Sequence, residues 1–212
     1  MKQDINCWNL LSKHFKNKNH LKKVITELFG NELEAANISD GKYLLSCEEF
    51  AALFDCLNMD IPLRRQALSA IIAIRSKTGH QSGIPELRQL FCALYAGEKT
   101  AIPVIELQLF TGGWTEDGNL SAFIRENSNS ISTWPLPPQA AVCKVNNAAS
   151  VRELHLPCGS LIIIDRENPP APGELSLSLK RSGSFQLGEF TAASDFLWSA
   201  PVLRLHLIPK EL

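Results

Sequence analysis

The chain has 212 residues, of which 45% are hydrophobic and 20% charged, with a net charge of −1. That is the balance of a globular protein long enough to bury a core without staples. No apolar run approaches the ~18 residues of a membrane-spanning helix, and the opening MKQDINCWNLLSKHF mixes charge with apolar residues, unlike a signal peptide. Cys7, Cys47, Cys56, Cys92, Cys143 and Cys158 form no C-x-x-C pair and no cluster at metal-ligand spacing. This argues against a disulfide scaffold, a metal site or another cofactor, and for reduced thiols in a cytoplasmic protein.

Charge is unevenly spread. Residues 1–97 carry 12 Lys/Arg and 10 Asp/Glu, whereas residues 98–212 carry 9 and 12. The basic excess is early, at Lys13, Lys16, Lys18, Lys22 and Lys23, with His14 and His20 between them. Such a patch suits phosphates, and it suits a solvated helix face equally well.

The first ninety-five residues read as helices. Leu21, Val24, Ile25, Leu28 and Phe29 fall at helical spacing ahead of Gly30. Ser46 and Glu49 form a capping-box pattern before Phe50, Leu53, Phe54 and Leu57. Asp60 and Pro62 open a further helix with Leu63, Ala67, Leu68, Ile71 and Ile72 on one side. After the polar stretch Lys77–Gly83 comes a last helix with Leu87, Leu90, Phe91 and Leu94. These stripes are read as core.

The pattern changes at Gly97-Glu98-Lys99-Thr100. Short β-type runs follow at Val104–Phe110, Ala141–Val145, Leu161–Ile164, Leu175–Leu179 and Val202–Leu207. Prolines 135, 137, 138, 169, 170 and 172 punctuate them. The expected class is α+β: a helical domain over 1–96, a linker over 97–101 and a mostly-β domain over 102–212.

Within the β domain, Ser150 is followed nine residues on by Gly159, then by Leu161-Ile-Ile-Ile-Asp165, and fourteen residues past Gly159 by Gly173-Glu174. Upstream stand Ile102-Pro103-Val104-Ile105, Thr111-Gly112-Gly113-Trp114 and Trp134-Pro135. Together these resemble the C-terminal domain of the LexA and phage-repressor self-cleavage family. The resemblance covers residues 102–212. It implies a nucleophile position at Ser150 and a scissile position at Gly112 and Gly113, where the family has Ala-Gly.

The family's base is a lysine, which burial can hold neutral so that it takes the serine's proton. Its strand corresponds to Ser184–Phe190, which contains no lysine; the matching position is Leu187, or Gly188 if the loop is one residue longer. Lys180, only seven residues past Gly173, is expected at the strand's far end rather than beside Ser150. Ala149 stands where the family often has Asp or Asn. The resemblance therefore implies a pseudo-peptidase, not an enzyme, with vestigial Ser150, Gly112 and Gly113. An unrelated loop serine, or an active peptidase with an unrecognised base, are the other readings of Ser150.

The same resemblance implies a helix-turn-helix-like domain ahead of the linker. Residues 19–59 fit loosely, with Leu21–Phe29 as first helix, Asn31–Ser39 as recognition helix and Ser46–Leu57 as the next. Asn31, Asn37 and Ser39 can read base edges, and Lys16, Lys18, Lys22 and Lys23 can meet phosphates. Glu32 and Glu34 argue the other way. The expected function is a DNA-binding repressor of phage or mobile-element type. Its partners would be double-stranded operator DNA, a second copy of itself and a small antirepressor protein, with no membrane. The alternative is a protein-interaction regulator that does not bind DNA.

Overall fold

The computed structural model describes residues 23, 24, 26–28, 45–78, 83–115, 118–192 and 195–208. The protein is mixed α and β, and it divides into two compact units, Met1–Leu94 and Tyr95–Leu212.

In the first unit, helix α1 spans Cys47–Cys56, α2 Ile61–Thr78 and α3 Ile84–Ala93. The capping box is made as the sequence predicts. Ser46 Oγ accepts from the Glu49 N–H at 3.2 Å, and Glu49 Oε2 accepts from the Ser46 N–H at 2.6 Å. Asp60 opens α2 by accepting from the Leu63 N–H at 2.9 Å. Of the predicted stripes, Val24, Phe50, Leu53, Phe54, Leu57, Ala67, Leu68, Ile71, Ile72, Leu87 and Phe91 are buried, Leu28, Leu63, Leu90 and Leu94 are half-buried, and Leu21, Ile25 and Phe29 lie outside the described residues. One boundary moves, since Lys77 and Thr78 belong to α2 rather than to the polar connection. Buried Arg75 donates to the Leu45 carbonyl at 2.6 Å and lies 5.5 Å from the Phe50 ring centre, so its charge is both bonded and stacked.

The second unit is a seven-stranded sheet in the order β2-β1-β3-β4-β7-β5-β6. Its elements are β1 Thr100–Glu106, α4 Gln108–Gly113, α5 Leu120–Asn127, β2 Ser130–Trp134, β3 Ala140–Lys144, α6 Ala149–Arg152, β4 Leu161–Asp165, β5 Leu175–Lys180, β6 Phe185–Glu189 and β7 Phe196–His206. Among the described residues, only β1 and β3 pair in parallel. The inner strands β3 and β4 are buried on both faces, which is why they read as unbroken apolar runs rather than alternating ones. On one face Ile105, Ala141, Cys143, Ile162, Ile164, Leu177 and Leu179 meet Phe110, Ile124 and Val151 from the short helices and Leu154 from the turn after α6.

Two expectations change here. Thr100 and Ala101, placed in the linker by the sequence, pair with Trp134 and Thr133 as the first residues of β1. The run Val104–Phe110 is strand only to Glu106; from Gln108 it is helix α4. Period-two alternation through Ile105, Leu107 and Leu109 suggests a continuing strand. Burial follows a different rule: Leu107 and Phe110, three apart, are buried, while Leu109 is 36% exposed.

Candidate functional site

The site is assembled from the loop between β3 and β4 and the segment that follows β1. The loop's ends are tied together: the Val145 N–H donates to Ser160 O at 2.9 Å and the Gly159 N–H to Val145 O at 2.8 Å. Gly159 has φ +88°, a backbone conformation that favours glycine, and a Cβ there would press only on the flexible end of the Ile208 side chain. Inside the loop lies α6. Asn146 Oδ1 accepts from the Ala148 N–H at 3.2 Å just before it, and Val151 and Leu154 plug it into the core.

Ser150 lies on α6, half-buried, beside the buried Val151. Among the described residues, no hydrogen bond reaches its hydroxyl. Gly112 and Gly113 are the exposed last residues of α4. Helices α4 and α6 approach within 8 Å between Cα atoms, so the two elements that the resemblance singles out are neighbours. A carboxylate bridges their bases: Glu106 Oε2 accepts from Gln108 Nε2 at 2.9 Å and from Asn146 Nδ2 at 3.4 Å.

Helix α4 is held by an aromatic cluster that the sequence reading missed. Phe110 is 1% exposed and lies 4.8 Å from Phe123, 4.9 Å from Trp198, 6.1 Å from Trp114 and 6.4 Å from Phe185, centroid to centroid. The available signal was Phe110 and Trp114 at i, i+4, a helical spacing in a segment read as strand.

Leu187, the position that the resemblance matches to the family's lysine, lies on β6. Leu187 pairs with Leu177 and packs, half-buried, against the same core as Val151. Lys180 is the last residue of β5, bonded through its N–H to Ser184 O at 2.9 Å.

The two acidic residues of the motif close turns. Asp165 is 2% exposed; its Oδ1 accepts from the N–H groups of Glu167 and Asn168, and its Oδ2 from Asn168 Nδ2 at 2.9 Å. Glu174 follows Gly173, whose φ is +78°, and its Oε2 accepts from the buried Ala171 N–H at 2.8 Å. Each of these two carboxylates satisfies backbone donors.

Of the nucleic-acid residues, Lys16, Lys18, Lys22, Asn31, Asn37 and Ser39 lie outside the described residues. Lys23 is exposed and stands 3.7 Å from Glu27. Among the described residues, no group of three His, Cys, Asp or Glu side chains gathers to hold a metal, and no helix is long and apolar enough to cross a membrane. Compared with known proteins, the chain matches no family model, no curated protein and no solved structure.

Proposed function

We propose that the chain is a DNA-binding transcriptional repressor of phage or mobile-element type, with a LexA-like C-terminal unit that no longer cleaves itself. The supporting observation is the arrangement around α6. The helix with Ser150, the Gly159 turn, the apolar β4 ending in buried Asp165, the Gly173 turn and the β5–β6 hairpin follow one another in the order of the family's motif. The position that the resemblance matches to the family's base is Leu187, which pairs with Leu177 in the β5–β6 hairpin. Without a base the serine keeps its proton and gains no general-base assistance.

The deciding experiment is binding of the full chain to the DNA upstream of its own gene across a salt series. A specific complex whose affinity falls with salt supports the repressor reading. No binding at low salt transfers the lead to the protein-interaction regulator. One observation favours that second reading. Arg65 and Arg75 donate to carbonyls of Leu94 and Leu45, and Arg64 pairs with Asp55 at 2.7 Å, so these arginines are engaged within the first unit.

A further inference from the structure

Strand β2 is one end of the sheet. Its pairing with β1 is continuous from Thr100↔Trp134 to Val104↔Ser130, with no bulge. Pro103 lies opposite Ile131 and has no N–H to give, so this pair cannot be a hydrogen-bonded one. The bonded pairs must be its neighbours, Ile102–Ser132 and Val104–Ser130. A second bond fixes the same parity: the Leu107 N–H donates to Lys144 O, so the odd-numbered residues at this end of β1 turn their backbone toward β3 and the even-numbered ones toward β2. Ile131 and Thr133 therefore direct both N–H and C=O away from β1, to the open side of β2.

That open side lacks the usual protection. Edge strands are commonly guarded by charge, proline or a bulge. The chain from Asn127 to Cys143 contains no charged residue, and Ser130–Trp134 contains no proline. The opposite edge, β6, carries exposed Glu189. At the centre of the β2 edge Ile131 is 72% exposed, more than Ile61, Leu109, Leu175, Leu207 or Ile208.

We propose that β2 pairs antiparallel with β2 of a second copy of this chain, about a twofold axis at Ser132. The occupant follows from the register and the charge. A dyad at Ser132 sets Ile131 opposite Thr133 of the partner strand, so the outward N–H and C=O of each meet those of the other. Two β-branched side chains then lie side by side, a favourable cross-strand pair. A neutral strand can meet itself without like charges facing each other, which a charged edge cannot.

The test is amide hydrogen exchange of the full chain, together with sedimentation equilibrium, over a concentration range reaching tens of micromolar. The amides of Ile131 and Thr133 become protected as concentration rises, whereas that of Ser132, bonded to β1, is protected throughout. Ile131→Pro removes one outward donor and leaves every β1–β2 bond intact. Ile131→Lys adds a charge at an exposed position and controls for any folding defect of the proline variant. Both raise the concentration at which amide 133 becomes protected by about tenfold or more. The proposal is overturned if wild-type amides 131 and 133 exchange freely at the highest concentration. It is equally overturned if amide 133 becomes protected with concentration in both variants as it does in the wild type, because pairing at β2 does not survive these substitutions and a dimer built elsewhere on the molecule does not protect this amide. Protection of the two amides by an added foreign peptide, with the chain itself monomeric, also overturns it.

Discussion

Cys143 is fully buried on β3, and burial pushes its thiol up from 9.0 to about 12. The neutral thiol is the form the fold accepts. Its contribution to stability is complete below pH 9.0 and is lost as the pH rises from 9.0 toward about 12, because the unfolded chain ionises first. Exposed Cys56 and Cys158 should react with a thiol reagent in the native protein, while Cys143 should react only on unfolding. Cys143→Ala should remove the part of the alkaline destabilisation that this thiol causes. Rapid native labelling at Cys143 would show its packing to be looser than described.

The same scale governs self-cleavage. The expected outcome is an intact chain after incubation at pH 8.5, below the range where Cys143 destabilises the fold, and after incubation with activated RecA. Leu187 is an apolar side chain packed on the core and Lys180 ends β5, so on the proposed reading neither supplies Ser150 with a neutral amine to take its proton. A cut at Gly112–Gly113 that disappears in Ser150→Ala would refute the pseudo-peptidase reading.

Among the elements, α4 best shows how aromatic packing decides local structure. Phe110 touches Trp114, Phe123, Phe185 and Trp198, which lie on or beside α4, α5, β6 and β7. Phe110→Ala should cost about 3–5 kcal/mol, the range for deleting a buried phenyl ring. It should also make the Gly112–Gly113 segment more open to added protease, because the helix loses its anchor. Urea unfolding followed by tryptophan fluorescence measures the first effect, and limited proteolysis the second. A loss under about 1 kcal/mol would mean that the cluster is not what holds the helix.

The elements that were legible in the sequence carried local signals strong enough to stand alone. Ser46 and Glu49 spelled a cap, Asp60 a helix start, and Leu161–Ile164 a β-strand. Helix α4 was not legible, because its apolar residues satisfy a strand period as well as a helical one. Strand β2 was missed for the opposite reason: Ser-Ile-Ser-Thr-Trp has a single aliphatic residue, and that one faces solvent. Its strand form comes from pairing with β1, a tertiary cause with no local trace. The candidate site was legible as spacing between Ser150, Gly159, Asp165 and Gly173. The carboxylate bridge from Glu106 to Gln108 and Asn146 was not, because it joins residues forty apart.

At the scale of the whole molecule, β7 changes partner along its length. It pairs with β5 from Phe196 to Pro201 and with β4 from Val202 to His206. The side that β5 occupies is therefore open from Val202 onward, and Leu207 and Ile208 beyond it are exposed. Residues 95–212 should dimerise on their own through this stretch. A strict monomer at tens of micromolar in sedimentation equilibrium would count against it. Leu207→Lys should weaken this dimer without touching the β2 edge, so the two surfaces can be separated by variant.

DNA recognition tests the molecule as a unit, because two operator half-sites reward a dimer by adding their binding energies on one duplex. The early lysines and the candidate recognition helix should then contribute differently. Lys23 is exposed, and its pair with Glu27 is a solvated one that competes weakly with phosphate. Lysine contacts to phosphate carry no sequence information. Replacing Lys22 and Lys23 with Ala should therefore weaken binding to every sequence and flatten the salt dependence by about one unit of slope per lost contact. Asn37→Ala should instead cost roughly 1–3 kcal/mol on the operator alone, the range of a base-edge contact. Fluorescence anisotropy on operator and scrambled duplexes over a salt series separates the two patterns. If both variants bind as the wild type does, the placement of the helix-turn-helix over 19–59 is wrong. If the wild type binds neither duplex at low salt, the chain acts on proteins, and the two exposed strand edges of the second unit become the first surfaces to probe.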